Sequence, residues 1–218
     1  MKRRFKMPNI SLKTQNSISL VSLVVICLSI AWVSAYGLDE LMELKSTVEL
    51  LGGIVVLSPI VVLITNLISA DIKHMLVFCR YKNALPGHRF IKLVNKDPRI
   101  TSSDVLEKLS SINLTDMSQE EQNSPWYKEI YRPNQEDTQV KSAHKSFLLY
   151  RDAGVAVLLL SIIAMALHLI NILIMNKTIS LTIPIVLLVS AVILIFAASL
   201  SGKRMVTTAV CAQLINKD

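Results

Sequence analysis

The stretch Ala153–Met175, AGVAVLLLSIIAMALHLINILIM, decides the fold, because it runs without a single Asp, Glu, Lys or Arg. About 20 residues rising roughly 1.5 Å each cross a hydrocarbon core of about 30 Å. In lipid every backbone amide needs a partner inside its own segment, so a lone apolar stretch of this length has to be a helix. Three further stretches, Ile18–Tyr36, Leu50–Ala70 and Ile179–Leu200, share the composition and the length. Four hydrophobic spans are expected.

Composition agrees with that reading. Of the 218 residues 52% are hydrophobic and 18% charged, and the apolar ones are gathered into the four stretches instead of being spread at the frequency of a soluble core. The bilayer takes the place of most of the hydrophobic core. The net charge of +7 would also suit a nucleic-acid binder. Much of the excess, however, sits in the N-terminal tail and beside the end of the second stretch, where it sets topology and meets anionic headgroups. Nucleic acid is therefore not expected as a partner.

Basic residues also give the orientation. Lys2, Arg3, Arg4, Lys6 and Lys13 precede the first span, whereas the connection Gly37–Glu49 carries Lys45 against Asp39, Glu40, Glu43 and Glu49. The long connection after the second span opens with Lys73, Arg80, Lys82, Arg89 and Lys92; the last connection has only Lys177, and Lys203 and Arg204 follow the fourth span. By the positive-inside rule both termini and the long connection face the cytoplasm, as in a multi-pass membrane protein. A basic start, an apolar run and Val33-Ser34-Ala35 also fit a cleavable leader. Retention is expected, and cleavage would leave Tyr36 outside with the remaining topology unchanged.

The organisation that follows is all-α: an integral membrane four-helix bundle with a small helical cytoplasmic domain inserted between helices 2 and 3. Residues 1–17 form a basic tail, 18–70 the first two spans, 71–152 the cytoplasmic domain, 153–201 the last two spans and 202–218 a cytoplasmic tail. Within the inserted domain, the apolar spacing over Asp71–Leu85 predicts that the second span continues as a helix until Leu85-Pro86-Gly87 stops it. A short helix is expected over Asp104–Ser110, after capping residues Thr101, Ser102 and Ser103. Trp126, Tyr127, Ile130 and Tyr131 supply the rings for a local core. From Glu136 onward nothing interrupts Val140, Ala143, Phe147, Leu148 and Tyr150, so one helix is expected to run into the third span.

Polar residues inside spans are costly unless paired. Ser and Thr can bond back to their own helix, so Asn66, His168 and Asn171 stand out. His168 and Asn171 share a helix face and, with Asn66, are the candidates for an intramembrane polar path; a hydrogen bond from a neutral His168 to a neighbouring helix is the plainer alternative. Ala198 and Gly202, four apart, permit close helix approach and offer a weak oligomerisation signal. The cluster Arg80, Lys82, His88, Arg89 and Lys92, together with Trp126 and Tyr127, is the candidate surface for a protein partner or for lipid headgroups.

Catalytic patterns are missing from the sequence: it has no GxSxG, Walker loop, HExxH or dinucleotide fingerprint. Cys27, Cys79 and Cys211 form no CxxC or metal-spaced set. An enzyme is not expected, nor a cofactor or a metal.

Taken together, Arg80-Tyr81-Lys82-Asn83-Ala84-Leu85-Pro86-Gly87, Lys96-Asp97-Pro98-Arg99-Ile100, Gln122-Asn123 with Trp126-Tyr127, and Phe147-Leu148-Leu149-Tyr150-Arg151-Asp152 resemble small bacterial four-span membrane proteins of anti-phage defence loci, the membrane component of Kiwa-type systems among them. The resemblance covers the long connection and its junctions. It implies a non-enzymatic inner-membrane sensor or effector that forms homo-oligomers, works with a soluble cytoplasmic protein partner and alters membrane permeability. It supplies no catalytic residue. An ion channel or transporter subunit is the alternative reading.

Overall fold

Ser69 accepts the backbone N–H of Ile72 on its hydroxyl and so starts a new helix at the end of the second apolar stretch, where the sequence predicts one uninterrupted helix. This break organises the computed structural model, which describes residues 11–38, 59–63, 65–101, 117–172 and 180–216. All regular structure among the described residues is helical. In chain order the helices are α1 (Leu12–Gln15), α2 (Ser17–Tyr36), α3 (Pro59–Leu67), α4 (Ala70–Phe78), α5 (Phe90–Val94), α6 (Gln119–Pro125), α7 (Thr138–Ile170) and α8 (Thr182–Ile215).

Three of them, α2, α7 and α8, are long and apolar enough to cross a membrane. Helices α3 and α4 reach that length and composition only as a pair, and the pair is bent by 83°. The expectation that the second span continues straight to Leu85 is therefore corrected twice. The chain turns before Ala70, and α4 ends at Phe78 with Cys79 in the left-handed region at φ 49°. Asn83 follows at φ 52°, a conformation that asparagine tolerates better than most side chains. The first part of the second span and the short helix expected over Asp104–Ser110 lie outside the described residues.

Helix α7 does run unbroken from Thr138 to Ile170, 33 residues. At roughly 1.5 Å per residue that is about 50 Å, well beyond the hydrocarbon thickness. The charged and hydroxylated residues before Ala153 therefore extend past the apolar stretch. Asp137 caps its start, its Oδ1 accepting the N–H groups of Gln139 and Val140 at 2.9 and 3.0 Å. Helix α8 is equally long, and residues 202–218, expected to be a tail, are helix as far as Ile215. Met205, Val206, Ala209, Val210, Ala212 and Leu214 are all buried there, which is why this segment holds its structure.

Two apolar cores result. One gathers Leu20, Val24 and Ala31 of α2, Val61 of α3, Ala153, Ala156 and Val157 of α7, and Leu187 and Ala191 of α8. The other, in the polar part of the molecule, packs Val77 and Phe78 of α4 with Phe90, Trp126, Ile130, Phe147 and the end of α8. Around the first core Ile26, Ile30, Ile162, Ile163, Val192, Ile193 and Phe196 point outward and are exposed. Exposed apolar side chains in such number suit a lipid surface. Pro125 removes a donor within α6, and the chain widens into a π-turn over Trp126–Tyr131, closed by Arg132 N–H to Tyr127 O at 2.9 Å.

Gly202 shows what small residues do here. A Cβ at that position would lie 2.7 Å from Phe78 and 3.1 Å from Phe147. Gly202 is thus used within this chain, to seat two rings against α8, and Ala198 is buried as well.

Candidate functional site

Arg151 and Asp152 sit on α7 between Phe147 of one core and Ala153 of the other. Lys73 and His74 sit on α4, which the bend before Ala70 turns back against α7. Both pairs border an apolar stretch, so the two helices bring them to the same level, where they form a cluster that is almost fully buried: Lys73, Arg151 and Asp152 are 3%, 7% and 3% exposed.

Asp152 is the hub. Its Oδ1 accepts from Lys73 Nζ at 3.0 Å and from Arg151 Nε at 3.0 Å, with Arg151 Nη2 also at 3.0 Å. Arg151 Nη1 lies 3.1 Å from His74 Nε2. A guanidinium can only donate, so Nε2 is the acceptor and the neutral His74 carries its proton on Nδ1. Burial, reinforced by the Arg151 charge, lowers His74 to about 4, which holds it neutral near pH 7. Burial also pushes Lys73 down, with Asp152 opposing. Phe147 completes the site, stacked against His74 at 6.0 Å and lying 5.7 Å below the Arg151 guanidinium. Two cations share one carboxylate, and a second, neutral acceptor takes the surplus donor.

Buried ion pairs contribute little net stability because desolvation offsets most of their attraction, but removing one partner is strongly destabilising. Such a cluster works as a fastener. It fixes the register of α4 on α7 at the level where the apolar stretches begin, and it carries no nucleophile beside a general base.

The polar residues picked out in the spans are not brought to one place. Asn66 accepts a hydrogen bond from Lys13, and Lys13 lines a small gap together with Asp152. His168 lies sixteen residues beyond Asp152 on α7, about 24 Å away at roughly 1.5 Å per residue. His168 is buried, while Asn171 returns its amide to Leu167 O at 2.9 Å on its own helix. Within one chain, Asn66 and His168 therefore occupy opposite ends of the apolar region.

The basic surface divides as well. Lys82, Lys92 and Tyr127 are exposed. Arg80 Nη1 donates to Gln119 Oε1 at 3.1 Å, and His88 Nδ1 meets Gln119 O at 2.9 Å, so both are occupied in tying the segment after α4 to α6. Arg89 turns inward, its guanidinium 5.3 Å over the Phe78 ring and its Nε and Nη2 buried without a described acceptor. Trp126 is 5% exposed and belongs to the core, pressed against Gly87, where a Cβ would lie 2.6 Å from the indole.

Sequence reasoning missed the Lys73–Asp152 cluster. The available signal was its placement: Lys73-His74 begins three residues after Ala70, and Arg151-Asp152 ends one residue before Ala153. Charges at matching distances from the ends of two apolar stretches meet when the helices pack side by side. Comparisons with protein families, with curated proteins and with solved structures gave no match to this chain.

Proposed function

We propose that this protein is a non-enzymatic membrane transducer, working in a bacterial inner membrane with both termini and the polar domain on the cytoplasmic side. Its α7 and α8 carry movement between that domain and the spans. One observation supports the reading above others: both helices cross from the polar core into the apolar core without a break, and the buried Lys73–Asp152–Arg151 cluster fastens a third helix to them at the crossing. A rigid junction of this kind passes displacement on instead of absorbing it. The likeness of the long connection to membrane proteins of anti-phage defence loci gives the transducer a setting: a homo-oligomeric sensor or effector that engages a soluble cytoplasmic protein and changes membrane permeability.

Phage plating on a susceptible bacterial host carrying the chain with its chromosomal neighbours tests this reading. The wild type is expected to protect, and Asp152→Asn is expected to lose protection while still present in the membrane fraction. Absence of protection by the wild type rejects the defence role; full protection by Asp152→Asn rejects the fastened junction. A conducting path is the second reading, favoured by the burial of His168 in an apolar helix. Ion flux through the reconstituted chain that His168→Ala leaves unaltered would remove it.

A further inference from the structure

On the side of α7 facing α8 lies an open groove of about 960 Å³, a volume within the range that small ligands occupy. Its charged lining is one-sided: Lys96, Arg99, Lys203 and Arg204 against the single carboxylate of Asp97. Hydroxyls of Ser142 and Ser146 line it too. None of these residues belongs to the Lys73–Asp152 cluster.

The groove has a prepared donor. Arg99 is held by Asp97 through Nε–Oδ1 at 2.9 Å and Nη2–Oδ2 at 2.7 Å, and its Nη2 also donates to Thr207 Oγ1 at 3.1 Å. Its Nη1 is left without a described acceptor. Asp97 thus neutralises and orients one guanidinium, while Lys96, Lys203 and Arg204 pair with no described carboxylate. A single carboxylate ligand would compensate one of these charges. A phosphate presents several acceptor oxygens and more than one negative charge, and it suits a fork of guanidinium and ammonium donors with hydroxyls beside them.

Position narrows the source. The groove reaches Tyr150 and Ser201, which stand immediately outside the apolar stretches that begin at Ala153 and end at Leu200. Its other end reaches Thr138, about 18 Å away along α7 at roughly 1.5 Å per residue. One end therefore lies at headgroup depth, and basic pockets at that depth between helices suit anionic phospholipids.

We propose that this groove binds a phosphate group, that of an anionic phospholipid headgroup at the membrane boundary, through Arg99, Lys203 and Arg204 with Lys96 at the rim. Bound there, the headgroup would tie the Lys96–Arg99 segment to α8 where that helix leaves the apolar stretch.

The test uses the full chain, purified in uncharged detergent, stripped of lipid and titrated with cardiolipin or with phosphatidylcholine in mixed micelles, with retention followed by native mass spectrometry. Cardiolipin is expected to be retained and phosphatidylcholine not. The variant Lys203→Ala/Arg204→Ala is expected to weaken cardiolipin binding about 30-fold, at roughly fivefold per basic residue. Lys128→Ala/Arg132→Ala, which removes equal charge at two exposed residues outside the groove, should leave it within about twofold. Ser146→Asp keeps every cation and places an anion in the groove, so it should weaken cardiolipin binding as well, and it carries the test should the double variant not fold. Competition by ATP separates the sources: displacement of cardiolipin, or ATP binding alone that the same variants remove, assigns the groove to soluble phosphates, and no displacement assigns it to lipid. Binding of neither probe, or equal losses in the Lys128/Arg132 control, overturns the proposal.

Discussion

Replacing Asp152 with Asn should destabilise the protein by about 3–5 kcal/mol, the usual consequence of deleting one partner of a buried ion pair. Asp152 Oδ1 lies 3.0 Å from both Lys73 Nζ and Arg151 Nη2. At an effective dielectric constant of about 20, each contact is an attraction of roughly 5–6 kcal/mol before desolvation is subtracted. Asparagine keeps the shape and one acceptor but leaves two cations, 3% and 7% exposed, with no anion between them.

An internal control separates burial from distance. Lys141 Nζ and Glu136 Oε2 are also 3.0 Å apart, yet their side chains are 35% and 67% exposed. Glu136→Gln should therefore change stability by less than about 1 kcal/mol. Reversible unfolding of the two variants in mixed detergent micelles gives both numbers. Lys73→Met, added to Asp152→Asn, should recover part of the loss by removing one of the stranded cations. If Asp152→Asn costs no more than Glu136→Gln, the cluster is not fastening α4 to α7 and the account of the junction fails.

Other consequences are open to simpler measurements. Burial, followed by the Arg151 charge, lowers His144 to about 4, and Tyr131 OH sits 2.6 Å from its Nδ1; a histidine lowered from its ordinary pKa of about 6.5 stabilises the fold fully above pH ~6.5 and loses that contribution as the pH falls towards about 4. Unfolding free energy should thus drop on acidification through this window, by up to about 3 kcal/mol for this one group, and drop less in His144→Phe; a flat or rising profile in the wild type would contradict the assignment. Gly202→Ala, whose Cβ would meet Phe78 at 2.7 Å, should cost about 1–3 kcal/mol and be partly relieved by Phe78→Leu, as thermal unfolding would show. Trp126→Ala should cost about 3–5 kcal/mol, whereas Tyr127→Ala, at a ring 48% exposed, should cost far less; similar losses at both positions would mean that the π-turn presents its rings differently.

How much of this could be read from residues alone follows from what each signal measures. The helices within Ala153–Met175, Ile18–Tyr36 and Ile179–Leu200 are legible because the absence of charge over some twenty residues has one physical meaning in a bilayer. The continuity of α7 was legible for a similar reason: no proline or glycine lies between Glu136 and Ala153, and Gly154 just beyond does not break the helix but admits Ile195 of α8 at 3.0 Å from where a Cβ would stand. The bend before Ala70 was not legible, since Leu67-Ile68-Ser69-Ala70 contains no proline or glycine, and the cap that Ser69 provides looks in the sequence like one more tolerated serine. Lys203-Arg204 hid the remainder of α8, because a pair of charges after an apolar run signals the end of a span and says nothing about the end of a helix. Arg89 was misplaced by the same kind of shortcut: counted as a charge it belongs outside, but its stem is apolar and its planar head can lie over Phe78.

Two of the residues that escaped notice, Lys73 and His74, share α4, and this bears on how the molecule holds together. Within the nine residues of α4, Lys73 enters the ion cluster while Val77 and Phe78 enter the polar-side core. Phe78 in turn rests on Gly202 of α8, and Phe147 of α7 lies against His74, Phe78 and the Arg151 guanidinium together. A displacement of α4 therefore cannot loosen its apolar contacts and leave Lys73–Asp152 intact, since one short rigid segment carries both. The two kinds of contact also weaken under different conditions: salt and charge substitution act on the cluster, side-chain volume acts on the rings. Single changes at Asp152 and at Gly202 should consequently fail to add in a double variant, the second costing less once the first has freed α4, and a cycle that sums within about 0.5 kcal/mol would show α4 to be held by two independent attachments instead of one.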